Sequence, residues 1–213
     1  MDAIIGPSGS PNAMAVIGTI AKAGVPLLAP VGTSAAVLPM NEQKKWVFKT
    51  TQNDDVIAQA LVEDMVKRKI KTLGFIGTAD PYGDNWGKVI ASLAAKNGIK
   101  VVAKESFQRQ DTSLTGQALK LIATKPQAIL VAAPGSSAVP PQTALYDRGY
   151  RGQMYQTHGA ALDQFLKMGG NKVNNTILAA SLMLVINEIP NSNVSKPIAL
   201  KYMNSYKKMY GEY

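Results

Sequence analysis

The sequence predicts an α/β protein with doubly wound parallel sheets. Strand-sized apolar runs alternate with helix-length segments along most of the 213 residues. The runs are continuously apolar instead of alternating, as strands buried on both faces are. The intervening segments carry their apolar residues at helical spacing, so helices cover the sheets.

The elements follow in order. Residues 3–5 (AII) form a first strand, and PNAMAVIGTIAKAG reads as a helix that stops at Gly24. VPLLAP (25–30) is a second buried strand and WVFKTT (46–51) a third. In NDDVIAQALVEDMVKRK (53–69), Val56, Ile57, Ala60, Leu61, Met65 and Val66 recur with helical period, and Asn53 or Asp54 serves as N-cap. A strand at 72–77, a helix at 84–98, a strand at 100–107, a helix at 112–125 and a strand at 127–133 come next. Residues 139–150 are a helix with prolines in its first turn. A strand at 153–158, a short helix at 162–170, an extended run at 175–185 and an amphipathic helix at 196–211 complete the chain.

Composition excludes several function classes. With no cysteine and a single histidine, disulfide scaffolds, thiolate nucleophiles and multi-histidine zinc centres are ruled out within one chain, and neither metal nor cofactor is expected. The net charge of +9 comes mostly from scattered lysines and arginines. The one dense basic run, KRKIK (67–71), suits a helix C-terminus and is too poor in aromatics for nucleic acid, so no nucleic-acid partner is expected. No apolar run is long enough to span a membrane. The start, MDAIIGPSGS, lacks the pattern of a signal peptide and opens inside a strand-like run, which suggests a fragment.

Ligands of open α/β sheets bind beyond the carboxyl ends of the strands. Five such loops are rich in glycine and hydroxyls: 6–10, 30–34, 78–83, 134–137 and His158-Gly159. Their backbone N–H groups and hydroxyls at helix starts suit an anion such as a carboxylate. Catalytic motifs are scarce. GPSGS lacks the G-x-S-x-G spacing of a nucleophile elbow, and GDNWGKV is too short between its glycines for a phosphate loop. No catalysis is expected. Trp46 and Trp86 are read as packing residues.

The segments IIGPSGSPNAMAV, VPLLAPVGTSAA, WVFKTTQNDDVIAQALVEDM, TADPYGDNWGK and LYDRGYRGQMYQTHG together resemble the periplasmic solute-binding proteins of branched-chain amino-acid importers. The resemblance implies the two-lobed type I fold, an extracytoplasmic location and an ABC permease in the membrane as partner. It assigns 1–52 and 177–213 to an incomplete first lobe and 53–176 to a second. An incomplete lobe also raises self-association. The resemblance further matches Ser10 and Thr33 to the hydroxyls that hold a ligand carboxylate and Val31 to a backbone contributor. It matches Tyr82 to a pocket tyrosine, with Gly135 and Ser136 shaping the far end.

The resemblance places an ammonium-binding acid where this chain has His158. An imidazole does not compensate an ammonium, and a buried charge without its partner costs about 3–5 kcal/mol. The expected ligand is therefore a small carboxylate without an α-ammonium, aromatic or otherwise organic. Asp80 or Asp163 could restore an anion from elsewhere. Two other readings stay open: a ligand-sensing regulatory domain of the same fold, and an α/β hydrolase using His158.

Overall fold

The computed structural model describes residues 1–211. The strands form two parallel sheets, as expected. The smaller joins β1 (Ile4–Ile5), β2 (Leu27–Ala29) and β3 (Val47–Lys49) in that order. The larger has the order β5-β4-β6-β7-β8, formed by β4 (Thr72–Thr78), β5 (Lys100–Phe107), β6 (Ala128–Ala132), β7 (Gln153–Gln156) and β8 (Ile177–Leu178). Ile177 and Leu178 pair with Tyr155 and Gln156, so the larger sheet extends to Leu178.

The central strands explain the continuous apolar runs. Every residue of β6 is buried, and β4 is buried from Leu73 onward. On one side, α2 (Asp54–Lys67) and α3 (Pro81–Lys96) bring Leu61, Met65, Trp86 and Ile90 against Leu73, Phe75 and Leu130. On the other, α4 (Thr115–Ala123), α5 (Val139–Asp147) and α6 (Asp163–Gly169) bring Leu121, Leu145 and Phe165 against Ile76, Ile129 and Val131. Consecutive residues of one strand thus enter opposite cores, each large side chain contributing about 1.5–3 kcal/mol by burial. In the smaller sheet, α1 (Ser10–Ala23) packs Ala13, Ile17 and Ile20 on Leu27, Ala29 and Val47. The sheet's alternate residues Ile5 and Phe48 are exposed.

Two elements differ from expectation. Helix α3 begins at Pro81 instead of Asp84, because Asp80 Oδ1 caps it by accepting from the Tyr82 and Gly83 amides at 2.8 and 3.2 Å. The expected extended run 175–185 is a strand only at 177–178 and a 3-10 turn at Leu182–Val185. There the Ser181 hydroxyl accepts from the Met183 amide at 3.3 Å, giving the backbone a turn in place of a ladder.

The chain divides into compact units 1–179 and 180–213. Within the second, α7 (Lys196–Tyr210) packs Tyr206 against Tyr210, ring centroids 4.7 Å apart and planes tilted by 46°. Among the described residues, no helix is long and apolar enough to cross a membrane.

The strand-to-helix turn after β4 depends on Gly83. A Cβ there would run into the backbone of Thr78, which cannot swing aside as a side chain could. Gly83→Ala is expected to cost about 1–3 kcal/mol, read as a lower urea midpoint at unchanged m-value.

Candidate functional site

The carboxyl ends of both sheets meet at a cleft of about 140 Å3. The smaller sheet contributes Gly9, Ser10, Pro30, Val31 and Gly32; the larger contributes Tyr82, Arg109, Pro134, His158 and Gly159. Four of the expected residues, Ser10, Val31, Tyr82 and His158, are brought together here. Thr33 is fully buried behind the wall, and its hydroxyl accepts from the Ala35 amide at 3.3 Å to cap a 3-10 turn. Gly135 and Ser136 lie in the 3-10 turn just past Pro134, outside the lining.

Ser10 opens α1, with Pro11 beside it supplying no N–H. Its hydroxyl is buried and makes no hydrogen bond, an open valence at the start of a 14-residue helix. Val31 is a wall, not a donor. Its amide bonds the Ala29 carbonyl at 2.9 Å, and its own carbonyl accepts from Thr51 Oγ1 and the Lys49 ammonium. Tyr82 is held by a 2.8 Å hydrogen bond between its hydroxyl and Thr157 Oγ1. Burial pushes its phenol well above the usual range, so it stays neutral.

Two cationic or titratable heads face the cleft. Arg109, in the loop after β5, donates through Nε and Nη2 to Asp80 Oδ2 at 2.9 and 2.6 Å. Asp80 therefore caps α3 with one oxygen and holds the guanidinium with the other. His158, in the turn after β7, rests its ring 6.0 Å from Trp86 and 6.3 Å from Tyr82. Burial, then the nearby Lys49 ammonium, lowers its pKa and favours the neutral imidazole.

The acid beside His158 is neither Asp80 nor Asp163. Asp163 is exposed at the start of α6, and Asp80 is occupied as described. The acid is Asp54, fully buried at the first position of α2, with Oδ1 4.0 Å from His158 Nε2. Its Oδ2 accepts from Asn85 Nδ2 at 2.8 Å, and Asn85 Oδ1 accepts from Ser34 Oγ at 3.3 Å. Burial raises the Asp54 pKa to about 6, opposed by the Asn85 bond and the Lys49 charge. Asp54 does not line the cleft; Gly32 and His158 stand in front of it.

Sequence reasoning missed Asp54 and Arg109 as site residues. The strand-end rule would have found both, since they lie in the segments that follow β3 and β5, but the hydroxyl-rich loops drew attention elsewhere. Trp86 lies in the core as expected, fully buried, and its position under His158 could not be read from the sequence.

A larger hollow of about 220 Å3 lies at the amino end of β7, by Tyr146, Arg151, Gln153 and Lys172. Its polar heads already have protein partners: Lys172 pairs with Asp147 at 2.8 Å, and Arg151 bonds the Tyr146 carbonyl at 2.7 Å and stacks on its ring. The cleft, with its open valences, is the better candidate.

The family description "Periplasmic binding protein" matches residues 1–213. Comparison with curated proteins gives no match. An extracellular ligand-binding receptor from Rhodopseudomonas palustris HaA2 superposes with a TM-score of 0.92 at 38% identity, over 100% of this chain and 59% of that one. A leucine-binding protein from Thermotoga maritima MSB8 gives 0.82 at 19% identity, over 99% and 57%. An ABC-transporter solute-binding protein from Rhodopseudomonas palustris BisB5, solved with 3,4-dihydroxybenzoic acid, gives 0.76 at 16%, over 98% and 55%. The chain thus spans somewhat more than half the length of the structures it matches. Two parallel sheets meeting at a cleft, a match along the whole chain and a 38% identical receptor agree: the chain belongs to the type I periplasmic binding protein family.

Proposed function

We propose that this chain forms the ligand-gripping part of an extracytoplasmic receptor. It would capture a small organic carboxylate, aromatic in preference to a branched-chain amino acid, and present it to the permease of an ATP-driven importer. The observation that carries the reading is the charge of the cleft wall. Among the described residues its lining includes Arg109, His158 and the unpartnered Ser10 hydroxyl, and no acidic side chain; Asp80, which pairs with Arg109, is not part of it. A carboxylate finds donors on both sides, whereas an α-ammonium would be desolvated without an anion. The dihydroxybenzoate complex of the BisB5 relative is consistent with such a guest, though at 16% identity that likeness speaks for the fold alone.

In this reading the first lobe holds the smaller sheet and the second holds the larger, with the boundary at Leu178 and a crossing near Thr50–Asn53. A guest in the cleft touches both, and only the closed arrangement allows that, so binding favours closure. The test is a thermal-shift screen of benzoate, 4-hydroxybenzoate and aliphatic acids against leucine and valine, since a native-state ligand raises the Tm. Stabilisation by the simple acids and none by leucine is expected; preference for leucine would refute the reading. Ser10→Ala serves as a companion measurement. Because its hydroxyl has no partner, the free protein's Tm should stay within about 2 °C of wild type. Benzoate affinity should fall about 5- to 10-fold, as for the loss of one hydrogen bond.

A further inference from the structure

We propose that Asp54 and His158 share a proton beneath the cleft, so that the site takes up its carboxylate together with a proton, Asp54 acting as a positioning residue behind His158. This rests on the cleft being a carboxylate site. The geometry is that of a carboxylate oxygen and an imidazole nitrogen facing each other without a hydrogen bond between them. Asp54 Oδ1 is fully buried, has no hydrogen bond and stands 4.0 Å from His158 Nε2. The other carboxylate oxygen is tied to Asn85, itself bonded to Ser34, so the carboxylate cannot turn away to find another donor. Gly32 makes the approach possible. A Cβ there would collide with Asp54 Oδ1 and lie 3.1 Å from His158 Nε2.

Without a shared proton the pair carries one negative charge directly behind the wall that receives an anion. With one proton the pair is neutral, either as carboxylate and imidazolium or as carboxyl and imidazole. An arriving carboxylate therefore binds better to the protonated pair, and by linkage it raises the pair's proton affinity.

The surrounding groups can be named from each element. Lys49 of β3 bonds the Val31 and Gly32 carbonyls, and Asp55 follows Asp54 on α2, exposed. Helix α3 contributes Asn85, Trp86 and Tyr82, the last kept neutral by burial. Arg109 lines the same cleft, paired with Asp80. The direction is supported by burial, which raises Asp54 to about 6 and lowers His158. With Asp54 raised to about 6, affinity is expected to be full below that pH and to decline as pH rises above it, until the ligand-bound pair also deprotonates.

The experiment is calorimetric titration of the full chain with benzoate from about pH 5.5 to about pH 8.5, in paired buffers of different ionisation enthalpy. Wild type should take up a substantial fraction of one proton, and its Kd should rise by up to about tenfold per pH unit above pH 6. Asp54→Asn, nearly isosteric and still able to accept from Asn85, should bind without proton uptake and with a flat pH profile. A flat wild-type profile would overturn the proposal, and so would a slope that survives Asp54→Asn, because that slope would belong to Lys49 or the ligand.

A second readout needs no ligand. His158 is the only histidine in the chain, so its imidazole C–H signals in an NMR pH titration are unambiguous. Wild type should show two coupled inflections and Asp54→Asn one; a single inflection in wild type would overturn the pairing. If Asp54→Asn fails to fold, the wild-type proton count and titration decide alone. If neither benzoate nor 4-hydroxybenzoate binds at any pH, the carboxylate reading fails and ligand-coupled uptake with it, while the titration still tests the pair itself.

Discussion

Replacing Trp86 with alanine is expected to lower stability by about 3–5 kcal/mol, the largest single-residue effect on the fold predicted here. Trp86 is fully buried in the core between α2, α3 and the larger sheet. Its ring lies 6.4 Å from Tyr82 and 6.0 Å from His158, so it is also the floor on which the site rests. Truncation removes a large apolar surface and leaves a cavity bounded by strands that cannot collapse. Against a typical total of about 5–15 kcal/mol, the loss brings the chain close to unfolding. The measurement is the urea midpoint, with far-ultraviolet circular dichroism to verify folding at zero denaturant.

Trp86→Phe separates packing from hydrogen bonding. The indole Nε1 is buried without a hydrogen-bond partner. Removing an unsatisfied donor while keeping most of the ring should cost under about 1.5 kcal/mol. A phenylalanine variant as unstable as the alanine one would mean that the indole N–H, and not the volume, holds this part of the core. The binding consequence should follow the same order: His158 loses the surface that orients it in the alanine variant and keeps most of it in the phenylalanine variant.

The fold could be read from the sequence because its strongest signals are local. Buried β4 and β6 announce themselves as TLGFIG and QAILVAA, and helices α2, α4 and α5 follow from periodicity and punctuation. The misreadings have local causes as well. Asp80-Pro81 is a cap followed by an N1 proline, and reading 78–83 wholly as a loop hid the first turn of α3. The run 175–185 is apolar enough for a strand, but Ser181 redirects the backbone.

The site was only half legible, for a different reason. Ser10, Tyr82 and His158 stand at strand ends in conspicuous loops. Asp54 looks like any acid at a helix start, where the macrodipole alone would explain it; its complete burial is set by Gly32, Asn85 and His158, which come from three other parts of the chain. Thr33 shows the converse. It has the residue type and the position of a ligand contact, yet it is fully buried and outside the lining of the cleft.

Arg109→Ala should have the largest effect on binding and almost none on the fold. The Arg109–Asp80 pair is partly solvated, with side-chain exposures of 39% and 15%, so solvent screening leaves it worth about 0–1 kcal/mol to stability. The cleft is another matter. A charge-assisted hydrogen bond to a carboxylate contributes about 1.5–3 kcal/mol, so its loss weakens benzoate binding by about 10- to 150-fold. Removing the guanidinium also leaves the Asp80 carboxylate, outside the lining, without its partner, and its charge then repels an anion from behind. Arg109→Lys should be intermediate, keeping the charge and losing the two-nitrogen grip on Asp80. Asp80→Asn keeps a cap acceptor for α3 and frees the guanidinium, so benzoate affinity should rise. Together these variants make the sign of the charge, not the shape of the pocket, the variable under test. Higher salt should weaken wild-type binding and affect Arg109→Ala less, because the screened attraction is already gone. Wild-type affinity for benzoate in Arg109→Ala, at low salt, would mean that the carboxylate is held entirely by Ser10 and the start of α1 and that Arg109 only frames the entrance.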